Sequence, residues 1–247
     1  MAFGRSEFVS ELKALGINVS RETLQRLETY AGLLVKWQAR INLVGPATLP
    51  DLWRRHFLDS AQLTNLLPRA GGGLRWGRSL SSAQSAEATT PTPTLPQLGG
   101  GSSLSGSVLV DLGSGAGFPG LVLAIMTDWT VHLLDSDQRK CAFLRQVALD
   151  CGVLERVTIH AKRIEQVAGI TADVVTARAC APLDELLDLS EPFIGEKGTG
   201  LFLKGAQAEE ELTQAQRRWT MRLDRRESIS DPAGVILSVT HLRRKSQ

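Results

Sequence analysis

The sequence contains few cysteines and few aromatic residues. Its 247 residues include three cysteines, and only 5% are aromatic. The cysteines, Cys141, Cys151 and Cys180, form no closely spaced pair and leave an odd count, which argues against a disulfide scaffold or a zinc site. The core must therefore be built mainly from leucine, valine, isoleucine and alanine. A reducing compartment fits this cysteine usage, so we expect a cytoplasmic protein that holds no metal.

The sequence also lacks long apolar runs and a dominant charge. The longest apolar run, residues 121–126, is far shorter than the ~20 residues of a membrane-spanning helix. Residues 1–10 have no apolar run of the kind that a secretory signal needs. With 28 basic and 26 acidic residues, the net charge is +2. We therefore expect no membrane association, and any basic surface must come from local clusters.

Three regions follow one another along the chain. Residues 1–70 are predicted to be a helical N-terminal extension, because apolar residues recur at helical spacing after Ser20, a good N-cap residue. A further helix is predicted over residues 48–67. Residues 71–107 are rich in glycine, serine, proline and threonine and cannot bury enough apolar surface to offset their ordering entropy. This second region is predicted to be a low-complexity insertion or linker.

The third region, residues 108–247, alternates between predicted strands and helices. Strands are predicted at 108–112, 131–134, 157–160, 173–177, 201–203 and 235–240, and helices at 121–126, 139–150 and 183–189. This alternation is typical of an α/β fold with a mostly parallel, doubly wound sheet that carries helices on both faces.

A glycine-rich turn lies between the first predicted strand and the helix that follows it. Its sequence is Asp111-Leu112-Gly113-Ser114-Gly115-Ala116-Gly117-Phe118-Pro119-Gly120. Glycine lets the backbone turn tightly and approach a ligand that a Cβ atom would block. A single glycine here would indicate only a strand-to-helix turn, but three alternate glycines favour a bound ligand.

Asp135 ends the next predicted strand, a little over twenty residues after Gly113. Nucleoside-binding α/β folds place a carboxylate for the ribose hydroxyls at this point. Asp135 could instead cap the next helix, although Ser136 or Asp137 could also fill that role. The glycines and the carboxylate together predict a nucleoside site.

The residues around the turn favour one nucleoside over another. A dinucleotide pyrophosphate needs a free helix N-terminus beside the last glycine, but Phe118 and Pro119 occupy that corner. Asp111 suits a cationic amino-acid moiety better than a pyrophosphate. S-adenosyl-L-methionine (SAM) carries an adenosine, a sulfonium and an amino acid, so it is the predicted cofactor. NAD is the alternative.

The glycine turn, with Val110 before it, resembles the motif of the bacterial small-subunit ribosomal RNA methyltransferase G family, also called glucose-inhibited division protein B. Further similarities follow in order at residues 37–43, 55–60, 133–136, 139–140, 143–144, 163–165, 177–179 and 203–205. The resemblance covers nearly the whole chain except residues 71–107, where family members usually have a short connection. Several ordered motifs are far more specific than the glycine turn alone.

The resemblance implies a Rossmann-like class I methyltransferase with seven strands, the last of them antiparallel. It also implies transfer of a methyl group from SAM to N7 of a guanine in 16S rRNA, either as free RNA or in the small ribosomal subunit. We expect the chain to act as a monomer. The residues implied for the cofactor are Gly113, Gly115 and Phe118 in the pocket, Asp135 at the ribose, Ile164 and Glu165 at the adenine, and Arg178 at the methionine end or the target base.

Other residues are candidates for catalysis and for RNA binding. Arg178 could act on the substrate or simply pair with Asp173 or Glu165. Candidate RNA contacts are Arg54, Arg55, His56 and Lys204, although a basic cluster is more often a solvated face. Guanine N7 has a free lone pair and needs no general base, in agreement with a sequence that shows no Ser/His/Asp or Cys/His constellation. The alternatives are a methyltransferase for a protein or small molecule and a non-catalytic, nucleotide-sensing RNA-binding module.

Overall fold

The computed structural model describes residues 3–68 and 106–245. The predicted insertion, 71–107, lies outside them except for its last two residues. The strands are β1 (Val108–Leu112), β2 (Thr130–Asp135), β3 (Val157–Ala161), β4 (Ala172–Arg178), β5 (Ile194–Lys204), β6 (Trp219–Glu227) and β7 (Val235–Arg244). The helices are α1 (Arg5–Ala14), α2 (Arg21–Gln38), α3 (Asp59–Ala61), α4 (Gly120–Met126), α5 (Gln138–Asp150), α6 (Leu183–Ser190) and α7 (Ala208–Arg218).

The strands form one sheet in the order β3-β2-β1-β4-β5-β7-β6. The first five are parallel, and β7 runs antiparallel to both of its neighbours. The predicted Rossmann-like class I fold is therefore confirmed. The chain winds outward from β1 in both directions, and such a reversal of strand order opens a crevice at the carboxyl ends of the strands.

The two faces of the sheet bury separate apolar clusters. Leu109 and Leu133 face the N-terminal helices, α4 and α5, whereas Val110 and Leu134 face α6 and α7. This alternation follows from the two-residue side-chain period of a strand. Helices therefore cover both faces, as the alternating pattern predicts.

The N-terminal extension is helical but not regular. Ser20 caps α2 as predicted, because its hydroxyl accepts a hydrogen bond of 3.0 Å from the Thr23 amide. The helix predicted over residues 48–67 is instead a run of turns with changing pitch. It comprises a 3₁₀ turn (Pro46–Asp51), a π-helical turn (Trp53–Leu58), the short α3 and a second 3₁₀ turn (Gln62–Leu66). Pro50 has no N–H group for a regular helical hydrogen bond, which is consistent with the irregular start.

A non-helical loop joins α2 to this irregular segment. The Gln38 carboxamide oxygen accepts from the amides of Leu43 and Val44, both at 3.0 Å, and its nitrogen donates to the Val44 carbonyl at 2.9 Å. One side chain thus takes the place of backbone pairing. It fixes the loop beside the crevice at the carboxyl ends of the strands. No helix in the described ranges is both long and apolar enough to cross a membrane.

Candidate active site

A cleft of about 750 Å³ lies at the carboxyl ends of the strands. The N-terminal extension, the glycine turn and the chain segments that leave β4 and β5 all contribute to its walls. The lining segments include residues 43–45, 55–56, 113–116, 178–182, 203–205 and 234–235, together with Thr48, Asp59, Phe118, Asp135, Lys140, Gln207, Glu211, Ser228, Ser230 and Asp231. The N-terminal extension is therefore one wall of the cleft.

The glycine turn has the backbone geometry that its sequence predicts. Gly113, Gly115 and Gly117 have φ angles of +61°, +56° and +92°, values that side-chain-bearing residues rarely adopt. A Cβ atom on Gly113 would lie 2.6 Å from Cys180 Sγ. The turn therefore leaves no space for a side chain at this position, and its backbone forms the floor of the cleft.

Asp135 holds this turn from the end of β2. One carboxylate oxygen accepts from the Gly115 amide at 2.8 Å, and the other accepts from the Asp137 amide at 2.8 Å. Asp137, not Asp135, caps α5, because its carboxylate accepts from the Arg139 amide at 2.8 Å. Asp135 is therefore not needed as a cap, and its carboxylate lines the cleft.

Asp111 does not face the cleft, so its interpretation as a partner for a cationic amino-acid moiety is wrong. Its side chain is fully buried. It accepts hydrogen bonds from the Thr176 hydroxyl at 2.7 Å and the Gly120 amide at 3.3 Å. Burial raises the pKa of Asp111 to about 6, although the hydrogen bond from Thr176 opposes this shift. The residue fastens α4 to the sheet beneath the turn.

Phe118 is stacked between the N-terminal extension and Arg178. The Tyr30 ring lies parallel to it, with 5.1 Å between centroids and 15° between planes. The Arg178 guanidinium carbon lies 5.1 Å from the Phe118 centroid, in the range of a cation–π contact. The Tyr30 hydroxyl also donates to the Ala116 carbonyl. The bulky residue of the turn is thus part of a stack that orients Arg178 at the cleft.

Arg178 ends β4 and contacts neither of the acidic partners that the sequence suggests. Its guanidinium donates to the Arg55 carbonyl at 3.1 Å and lies 3.5 Å from Asp59 Oδ2. Asp173 instead accepts from the Val108 amide at 2.8 Å. The structural alternative for Arg178, a pair with Asp173 or Glu165, is therefore wrong, because the N-terminal extension supplies the partner.

Three of the four candidate RNA contacts lie together on the π-helical turn, but they differ in charge. His56 is buried, and its ring contacts the Thr48 hydroxyl at 2.7 Å. Burial, with the nearby charges of Arg178 and Arg55, lowers the pKa of His56 to about 3, so the ring is neutral at physiological pH. Arg54 donates to the Ser230 carbonyl at 3.2 Å. His56 therefore adds no positive charge to this cluster.

Arg55 and Lys204 each have an acidic partner. Arg55 lies 2.8 Å from Asp231, and Lys204 lies 2.5 Å from Glu211 and donates to the Ala181 carbonyl at 2.8 Å. The Lys204 side chain is only 7% exposed. This environment favours a structural role for Lys204 over the predicted RNA contact.

Ile164 and Glu165 lie on a 3₁₀ turn, Ile164–Gln166, after β3. Neither belongs to the cleft lining: Ile164 packs against the second apolar cluster, and Glu165 is exposed. Their contact with an adenine stays a prediction.

Sequence reasoning assigned no role to several lining residues, among them Leu43, Asp59, Glu211 and Ser230. Leu43 and Asp59 do fall within stretches that carry the family resemblance. Glu211 and Ser230 showed no comparable signal, because their positions depend on contacts between distant parts of the chain.

Comparison with known proteins finds sequence relatives over most of the chain. The family model described as rRNA small subunit methyltransferase G matches residues 23–72 and 98–234. Ribosomal RNA small subunit methyltransferase G of Paramagnetospirillum magneticum is 51% identical over 230 residues, with 93% of this chain and 92% of the relative covered. The protein of that name from Rhodospirillum rubrum is 46% identical over 234 residues, covering 95% of this chain and 98% of the relative.

Among solved structures, a SAM-dependent O-methyltransferase from Thermotoga maritima aligns with 57% of this chain and 62% of its own, at a TM-score of 0.45 and 17% identity. The family model runs through most of the N-terminal extension, the glycine turn, Asp135 and Arg178, and it leaves out residues 73–97 of the predicted insertion. The match to the family model and the identity with the two relatives show that the chain belongs to the family of ribosomal RNA small subunit methyltransferase G.

Proposed function

We propose that this chain transfers the methyl group of SAM to N7 of a guanine in 16S rRNA. The observation that carries the proposal is the cleft in which the glycine turn and the Asp135 carboxylate meet, in a chain of this family. This cleft lies where the strand order reverses, the usual ligand position in open α/β sheets.

The glycine turn and Asp135 fit the cofactor. The backbone of Gly113 and Gly115 forms a surface without side chains, and a carboxylate lies beside it. Each Asp135 oxygen accepts one backbone amide, and a carboxylate has about four acceptor positions, so lone pairs remain for ribose hydroxyls. Bound SAM supplies a methyl group on a positively charged sulfur. We propose that Ile164 and Glu165 contact the adenine from the neighbouring turn.

We propose that the part of the cleft lined by Leu43, Val44 and Arg178, its base-facing part, holds the target base. Leu43 and Val44 give it an apolar wall, and Arg178 reaches it from the end of β4. We propose that the Arg178 guanidinium donates to O6 of the guanine, which leaves the N7 lone pair free to attack the methyl group. Arg54 and Arg55 lie on the adjacent turn, where we propose that they contact RNA phosphates.

The reaction needs positioning rather than proton transfer. The N7 lone pair is free at neutral pH, so no side chain has to remove a proton before the attack. The His56 imidazole, whose pKa is lowered by burial and by the charge of Arg178, is held against Thr48. The residues of the cleft therefore act by aligning the base with the methyl group, which can lower a barrier by ~7–11 kcal/mol, and by the electrostatics of the site.

The proposal extends to the location, oligomeric state and domain organisation of the chain. We propose that the chain acts as a monomer in the cytoplasm, on free 16S rRNA or on the small ribosomal subunit. Residues 1–70 and 108–247 build the cleft together, and residues 71–107 are an insertion between them. The relatives support this substrate by their names, which specify the RNA of the small ribosomal subunit.

A methyl-transfer assay tests the proposal. Purified protein is incubated with SAM labelled in its methyl group and with one of four substrates: free small-subunit RNA, small subunits, large-subunit RNA or a ribosomal protein extract. Label should enter one or both small-subunit substrates and neither of the others. Label in the protein extract alone would support a protein methyltransferase, and SAM binding without transfer would support a non-catalytic module.

A further inference from the structure

The Asp59 carboxylate joins three parts of the chain. Its Oδ1 atom accepts from the Ser230 hydroxyl at 2.5 Å, from the Gln62 carboxamide at 3.1 Å and from the Ser228 hydroxyl at 3.3 Å. Its Oδ2 atom lies 3.5 Å from the Arg178 guanidinium. One side chain thus links the irregular helical segment, the end of β4 and the loop between β6 and β7.

This junction is shielded from solvent. The side chains of Asp59 and Arg178 are only 14% and 19% exposed. Charges in such a place are less screened by water and salt than surface charges. Within the described chain, Asp59 is the one carboxylate within ion-pair distance of Arg178, so the charge of Arg178 is balanced from the N-terminal extension.

Arg178 depends on this support because the sheet ends beside it. The next residue, Ala179, has a φ angle of +50°, and the chain turns away from β4 at that point. The guanidinium is held by Asp59, by the Arg55 carbonyl and by the face of Phe118. Two of these three contacts come from the irregular helical segment.

The loop between β6 and β7 is tied to the same segment at further points. Arg54 donates to the Ser230 carbonyl at 3.2 Å, and Arg55 pairs with Asp231 at 2.8 Å. Ser230 and Asp231 line the cleft, as does Arg178. In the base-facing part of the cleft, the β6–β7 loop and the end of β4 are therefore both joined to Asp59.

We propose that Asp59 is a positioning residue for methyl transfer. Its charge holds Arg178 toward the target base, and its second oxygen holds the β6–β7 loop in the same arrangement. Asp59 is not itself in contact with the reacting atoms. The inference rests on the proposed function, because it assigns Arg178 to the target base.

The first test separates turnover from cofactor binding. Asp59→Asn keeps the size of the side chain and an oxygen for the serines but removes the charge beside Arg178. The turnover number for small-subunit RNA should fall at least tenfold, whereas the dissociation constant for S-adenosylhomocysteine should change less than threefold, since Asp135 and Gly115 are untouched. Asp188→Asn is the matched control, because Asp188 pairs with Arg218 and Arg244 outside the cleft and should change neither value. A proportional loss of cofactor affinity in Asp59→Asn would overturn the proposal.

The second test asks whether Asp59 acts through Arg178. In an Arg178→Met background, which removes the charge that Asp59 pairs with, Asp59→Asn should lower single-turnover transfer less than threefold, because contacting residues give non-additive effects. Additive losses would show that the two residues act independently and would contradict the proposal.

The third measurement does not depend on activity. In Asp59→Asn, hydrogen exchange should speed up at least fivefold in peptides covering 176–182 and 228–234, and Asp188→Asn should leave both unchanged. Unchanged exchange, or faster exchange throughout the protein, would contradict the proposed link. If the wild-type protein transfers no methyl to RNA, the proposed function fails, and this result still decides whether Asp59 joins the β6–β7 loop to the end of β4.

Discussion

The Tyr30 hydroxyl donates a hydrogen bond to the backbone carbonyl of Ala116, in the middle of the glycine turn. Tyr30 is fully buried, and burial raises its pKa well above the usual value, so the hydroxyl keeps its proton. A Cβ atom on Gly117 would lie 2.7 Å from the same hydroxyl. Helix α2 therefore supports the turn that we propose binds the cofactor, which ties the N-terminal extension to cofactor binding.

Replacing Tyr30 by phenylalanine should loosen the turn. The substitution keeps the ring stacked on Phe118 but leaves the Ala116 carbonyl without its donor, and an unsatisfied buried group costs about 1–3 kcal/mol. Thermal unfolding should occur several degrees lower, and calorimetry should show weaker binding of S-adenosylhomocysteine. Thr29→Ala, an exposed change on the same helix, is the control. Unchanged affinity in Tyr30→Phe would show that the turn holds its shape without α2.

Gly113→Ala should remove measurable cofactor binding, while its effect on the free energy of unfolding should be modest. The new Cβ atom would meet Cys180 Sγ at 2.6 Å and would sit on a residue with a φ of +61°, and such backbone strain costs of order 1–3 kcal/mol. Gly205→Ala is the matched control, because Gly205 also lines the cleft and a Cβ atom there has no neighbour within 4 Å. Equal cofactor affinity in the two variants would contradict the role of Gly113.

His56 should make folding stability fall on acidification. Its pKa is about 3 in the folded chain, against 6.5 for a free histidine. Below pH 6.5 the unfolded chain binds a proton that the folded chain does not, so stability is lost as the pH falls. Between pH 7.5 and pH 5, His56→Gln should gain about 2 kcal/mol relative to wild type in urea unfolding. A constant difference between the two proteins would show that His56 titrates normally.

Asp111 should act in the opposite direction over the same range. Its pKa is about 6 in the folded chain, against 3.8 for a free aspartate. The folded chain therefore binds the extra proton between these values, and Asp111 adds stability at low pH that is lost as the pH rises through 6. Asp111→Asn should lose about 1 kcal/mol relative to wild type between pH 7.5 and pH 5. Burial also lowers the pKa values of His132 and His160. Wild type and Asp111→Asn both contain these histidines, so we expect their contribution to cancel in the difference between the two proteins.

Salt dependence of RNA binding should distinguish Arg54 from Lys204. A lost phosphate contact reduces the slope of log K against log salt by roughly 0.7–0.9. Arg54→Gln should show this reduction. Lys204→Met should leave the slope unchanged and lower the melting temperature, because the ammonium is already paired with Glu211. A reduced slope in Lys204→Met would restore its predicted RNA contact.

Local sequence patterns predicted the centre of the fold well. β1 has the predicted bounds, and the glycine turn and Asp135 come together at the cleft. These features depend on short-range chemistry, in which an apolar run ends in glycines that adopt positive φ angles.

Two elements of the fold, β6 and α7, were not predicted. In β6, Trp219, Met221 and Leu223 alternate with polar or charged residues, but the second half of the strand is almost entirely charged, which obscures the strand pattern. In α7, only Ala208 and Ala215 are buried, so its apolar stripe is faint.

The base-facing part of the cleft could not be predicted from local patterns. Asp59 and Ser230 are 171 positions apart, and Arg178 and Asp59 are 119 apart. Nothing in the neighbourhood of either residue indicates its partner, because tertiary folding alone brings them together. The family resemblance marked the stretches that contain Asp59 and Arg178 but assigned no role to Asp59.

The position of the methyl group on the RNA tests the central claim most directly. Small-subunit RNA is incubated with the protein and SAM, reduced with borohydride and treated with aniline, which cuts RNA at N7-methylguanine because alkylation there makes the glycosidic bond labile. Scission should appear at a guanine, require both protein and SAM, and disappear with Gly113→Asp. Methyl label that enters the RNA without creating a cleavable site would contradict the account, because another atom would then be the target and a general base would have to exist.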